Sequence, residues 1–107
     1  VDDPASVDVA GEGSWFEEHF ADGVNVEFIA PAGDDAISLR VWERGAGITE
    51  ACGTGACAAA QVAHDWGLVG DRVQVVMPGG TAEVQLGASL TLIGPAVKVA
   101  TIELADV

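Results

Sequence analysis

Residues 40–60 read RVWERGAGITEACGTGACAAA, and both cysteines of the 107-residue chain fall inside them. The run opens as the end of a strand, since AISLRVW at 36–42 alternates apolar with polar side chains. Residues 43–52 follow as a glycine-punctuated loop. From Thr54 to about Trp66, TGACAAAQVAHDW has helical character, with Gly67 as the stop. Alanine dominates the first three turns of that helix. Such a segment is predicted to be buried on most sides, its small side chains letting strands approach closely.

Outward from this core the pattern is mostly β. VNVEFIA at 24–30 alternates and is joined to 36–42 by the turn PAGDD, which predicts a hairpin. RVQVVM, TAEVQL, SLTLIG and AVKVATIEL are short strands separated by Pro78-Gly79-Gly80, Gly87 and Gly94-Pro95. Ser14 followed by Glu17 has capping-box spacing, predicting a short helix over 14–20. The expected architecture is α+β, an antiparallel sheet curled around one central alanine-rich helix. No repeat or linker divides residues 1–107, which read as a single domain.

Composition narrows the function. Half the residues are apolar and a fifth are charged, a globular balance. The net charge of −13 repels phosphate backbones and anionic membranes, so neither nucleic acid nor a membrane is an expected partner. No apolar run approaches the roughly 20 residues that cross a bilayer. The acidic opening VDDPASVDVAGEG is unlike a targeting signal, and a cytoplasmic protein is expected. Cys52 and Cys57 stand five apart on a helical segment and so face different ways, which disfavours a disulfide.

The loop carries the chemistry. Cys52 falls where the buried helix begins, and helix N-termini favour negative charge and lower thiol pKa values. Gly53, Thr54 and Gly55 offer backbone amides to a small anion such as a carboxylate. A thiol beside such a cradle can attack a carbonyl, bind metal, or exchange a proton with a bound acid. A metal site is disfavoured, because no Cys-x-x-Cys or clustered histidines accompany it. His19 and His64 are the only possible bases for hydrolysis and neither sits in a motif; His64 reads as a solvated helix-end residue. Cys57, deeper among alanines, reads as a small buried hydrophobe. Glu43-Arg44 reads either as a strand-end ion pair or as a fork for a carboxylate beside an acceptor for an ammonium.

These residues resemble a family. VWERGAG, TEACGTGACAAA, DGVNVEFI, MPGG and the GPA at 94–96 are together similar to the signatures of diaminopimelate epimerases, over most of the chain. The resemblance implies a cofactor-independent isomerase of lysine and peptidoglycan synthesis that interconverts LL- and meso-diaminopimelate. It makes Cys52 one of two catalytic thiols, the other acting on the opposite face of the substrate. By the same resemblance Gly53 and Thr54 hold the reacting carboxylate, and Asn25, Glu43 and Arg44 hold the distal end. No pyridoxal phosphate and no metal are expected.

The match is to the second of the family's two domains, so the first domain with its cysteine is missing from this sequence. The alternatives are a self-associating remnant whose homodimer mimics the two-domain fold, or a proline-racemase-like enzyme with a similar Cys-Gly-Thr-Gly loop. Ile48 replaces the glutamate usual after Gly-Ala-Gly, and Trp42 replaces a tyrosine or phenylalanine.

Overall fold

The computed structural model describes residues 1–49 and 52–94. A 3-10 turn at Pro4–Ser6 leads into α1 (Val9–His19), then β1 (Val26–Pro31), β2 (Ala36–Glu43) and β3 (Gly47–Thr49). Helix α2 (Gly53–Asp65) and strands β4 (Arg72–Met77), β5 (Gly80–Gln85) and β6 (Thr91–Ile93) complete it. The strand expected within AVKVATIEL lies outside the described residues. Among those described, the sheet runs β1-β2-β4-β5-β6 with β3 paired to β2. The α+β class expected from the sequence is what forms.

The sheet is mixed rather than wholly antiparallel. β2 and β4 are parallel, Ala36 opposite Gln74 and Ser38 opposite Val76, while the other pairings are antiparallel. The reason is the helix between them. A chain leaving β2 through α2 returns from the far end of the sheet, and such a crossover joins parallel neighbours.

Side-chain parity then builds the core. Ile37, Leu39 and Val41 of β2, Val73 and Val75 of β4, and Val84 of β5 share one face of the sheet, all almost fully buried. Against them lie Ala56, Ala59, Ala60 and Ala63, spaced three and four apart on one side of α2. The helix ends as expected. Gly67 takes a φ of 77°, its amide donates to the His64 carbonyl, and Leu68 donates to Ala63.

The opposite face of β1 and β2 is covered by the 3-10 turn and α1. This helix begins at Val9, five residues before the expected start, because Asp8 caps it by accepting the Gly11 amide at 3.1 Å. A helix over 14–20 would have under two turns, too few to repay nucleation. The longer one buries Val9 and sets Gly13 on the Trp42 ring. A Cβ on Gly13 would lie 2.3 Å from Trp42 Cγ. Gly13→Ala is expected to lower stability by about 1–2 kcal/mol, although alanine favours helix by about 1 kcal/mol. Thermal unfolding checks this, at about 4–8 °C per kcal/mol for a domain near this size.

Candidate active site

Cys52 is the N-cap of α2, in extended conformation at φ −148° and ψ 111°. Its Sγ accepts the Gly55 amide at 3.3 Å and lies 3.4 Å from the Thr54 hydroxyl. Its carbonyl accepts the Ala56 amide, the first bond of the helical ladder. The thiol thus occupies the position a serine or aspartate usually takes at a helix start. The Gly53 and Thr54 amides find no acceptor among the described residues. An open hollow of about 320 Å³ adjoins this end of the helix, walled by Cys52, Gly53, Met77, Thr81 and Leu92. Its far side is the Gly79-Gly80 turn between β4 and β5.

Leu92 explains one glycine. A Cβ on Gly53 would come within 3.0 Å of the Leu92 methyl, so a side chain at position 53 would make that methyl shift by a few tenths of an ångström. Cys57, one turn deeper, is half-buried against the core, and burial first, then the neighbouring Cys52, pushes its thiol upward. His64 is exposed, as expected, yet its Nδ1 lies 2.9 Å from the Gly70 carbonyl and 3.2 Å from that of Val69, tying α2 to the approach to β4.

The distal-end candidates form a second group. The β1–β2 register pairs Val26 with Trp42, and one step outward sets Asn25 opposite Glu43. The Asn25 side-chain oxygen accepts the Arg44 amide at 2.7 Å. Glu43 accepts the Thr49 hydroxyl at 3.0 Å. Glu43 and Arg44 make no ion pair with each other. The Arg44 guanidinium instead donates to the Asp22 carbonyl at 3.0 Å, its stem lying over Gly23. The structure therefore brings Cys52, Gly53 and Thr54 together, and Asn25, Glu43 and Arg44 together, with the Arg44 fork turned toward the α1 side.

Glu27 stands between the two groups, and although it falls within the DGVNVEFI motif it has no role in the sequence reading above. In VNVEFIA it looks like the solvated half of an alternating strand. Its partner in the register is Val41, however, a core residue beneath α2, so Glu27 faces the helix. A Cβ on Gly55 would lie 3.2 Å from both Glu27 Oε1 and Cys52 Sγ. Burial pushes the Glu27 carboxyl upward, its own amide partly opposes this, and Glu43 adds to the rise.

A raised carboxyl disfavours its charged form in the fold. Stability from this group is therefore greatest below the unfolded value near 4.5 and declines as pH rises through the folded value. Glu27→Gln is expected to match the parent in urea midpoint at pH 4 and to exceed it at pH 7.

Trp42 and Ile48 lie opposite one another across β2 and β3, on the α1 face rather than the Cys52 face. The Trp42 indole donates to Glu17 at 2.8 Å, so the larger ring is used in packing. Ile48 is exposed. No group of three or more His, Cys, Asp or Glu residues suited to a metal occurs among the described residues, and no described helix is long and apolar enough to cross a membrane.

A family model described as diaminopimelate epimerase matches residues 2–99. The chain belongs to the diaminopimelate epimerase family. Curated diaminopimelate epimerases resemble it accordingly. That of Erythrobacter litoralis is 44% identical over 102 residues, covering 92% of this chain and 38% of the relative. That of Bacteroides thetaiotaomicron is 42% identical over 104 residues, with coverages of 92% and 39%. That of Xylella fastidiosa strain 9a5c reaches 51% over 89 residues, with coverages of 78% and 31%. The chain thus spans under two-fifths of the length of these epimerase relatives.

Proposed function

We propose that this chain supplies one half of a cofactor-independent amino-acid epimerase acting on diaminopimelate, with Cys52 as one of its two proton-transferring thiols. The observation that carries the reading is the thiol at the helix cap, beside the Gly53 and Thr54 amides. A carboxylate on those amides would set its α-carbon near Sγ. As thiolate, Sγ takes the α-proton, the C–H electron pair spreads into the carboxylate, and the second thiol returns a proton from the opposite face. Inversion needs both thiols in one cleft. In this reading the second comes from the remaining length of a full epimerase, and the isolated chain turns over poorly or not at all. Asn25, Glu43 and Arg44 hold the distal end, which requires Arg44 to leave the Asp22 carbonyl. Such biosynthetic chemistry suits the cytoplasm.

The test is α-proton exchange of diaminopimelate in deuterated water, for the chain alone and with the first half of a full-length relative added. Exchange that appears or rises on addition and vanishes in Cys52→Ala supports the reading. No exchange in either mixture sinks it. Proline supplied in place of diaminopimelate separates the proline-racemase alternative.

One observation favours a second reading, self-association. Leu90, just before β6, and Leu92 and Ile93 within it are each more than two-fifths exposed, and exposed apolar side chains gathered in one stretch commonly mark interfaces. A homodimer would bring a second Cys52 into the assembly. Sedimentation equilibrium decides it, and a monomer at high concentration counts against it.

A further inference from the structure

We propose that Glu27 is a substrate-contact residue, its carboxylate taking the ammonium group of the reacting centre while Glu43 serves the distal one; this rests on the epimerase reading above. Diaminopimelate has two carboxylates and two ammonium groups. The helix amides and Arg44 answer the carboxylates and Glu43 answers one ammonium, which leaves the ammonium beside Cys52 without an acceptor. Among the described residues, Glu27 is the carboxylate that has Gly55 as a common neighbour with Cys52. Its Oε1 and Cys52 Sγ both lie 3.2 Å from the point a Cβ on Gly55 would occupy, so they share the space left by that missing side chain.

Strand parity puts Asn25, Glu27 and Glu43 on the face of the sheet that looks toward α2, with Glu27 nearest the helix start. No side-chain donor among the described residues reaches the Glu27 carboxylate, whereas Glu43 is held by Thr49. Burial and the nearby Glu43 both disfavour its charge, and the opposite charge of an arriving ammonium offsets both. Gly55 completes the arrangement, since any larger residue there would press on the thiol and the carboxylate together.

Alkylation of Cys52 by iodoacetamide, in a Cys57→Ala background, reports occupancy without requiring turnover. Diaminopimelate and pimelate, which lacks both ammonium groups, serve as protecting ligands. In Glu27→Gln the concentration of diaminopimelate giving half-protection is expected to rise about five- to tenfold. Pimelate should protect as well as before or better, since a repelling charge has gone. A merely structural role would weaken both ligands alike, and that result overturns the assignment. Undiminished protection by diaminopimelate in Glu27→Gln also overturns it while sparing the epimerase reading. Failure of diaminopimelate to protect the parent chain, both alone and with the first half of a full-length relative added, overturns both.

Discussion

With the first half of a full-length relative present, Cys52→Ser is expected to lower deuterium exchange at the α-carbon of diaminopimelate by about 10²- to 10⁴-fold, the range a positioned acid–base group supplies. The same substitution should leave the fold intact or slightly firmer. Serine is a favoured N-cap and its oxygen can accept the Gly55 amide that Sγ now takes at 3.3 Å, so helix α2 gains up to about 1 kcal/mol. Stability and exchange are thus driven in opposite directions by one atom. A loss of exchange with an unchanged or higher urea midpoint cannot be assigned to unfolding. Cys57→Ala supplies the contrast. That thiol is a turn deeper, among alanines, and its replacement should leave exchange within about twofold of the parent. If Cys57 proves necessary and Cys52 dispensable, the helix cap is not the acid–base group.

Much of this arrangement is legible in the chain because local rules agree there. Gly53 and Gly55 flank Thr54 just after Cys52, and an alanine run follows; a thiol at a helix start is the direct outcome. The Pro31–Asp35 turn, the Gly67 stop and the strands on either side of Gly79-Gly80 are likewise set by residues within a few positions. What local rules miss is what tertiary contacts decide. The start of α1 went to Asp8 rather than Ser14 because Val9 and Gly13 are needed against the sheet. The parallel β2–β4 pair follows from where α2 returns the chain, which no strand pattern encodes. Glu27 is the sharpest case. Alternation in β1 distinguishes two faces, but it labels the face with Asn25 and Glu27 as solvent. The strand is covered on both sides, by α1 and the 3-10 turn on one and by α2 on the other. Its polar face is therefore an inner one, and Ile29, of the same parity and packed against the core, is the only local sign of it.

Ala60→Leu should be the most damaging single change to the fold, costing about 3 kcal/mol, the upper part of the overpacking range. Ala60 is fully buried between α2 and the Ile37, Leu39, Val41, Val73, Val75 and Val84 face. The fully buried side chains that α2 sets into that seam are alanine methyls, so the helix backbone rides close to the sheet. Three added carbons have to push the helix outward or force rotamers off their minima, and a shift of α2 moves its N-cap with it. A domain of this size has roughly 5–15 kcal/mol in total, so the loss removes a large share of its stability. Ala58→Leu makes the same chemical change on the exposed side of the same helix and should stay within about 0.5 kcal/mol of the parent. Urea midpoints of the two variants measure the difference. Equal midpoints would mean that α2 can lift from the sheet at little cost, and a helix that loose could not hold a thiol, a carboxylate and two amides in register at its end.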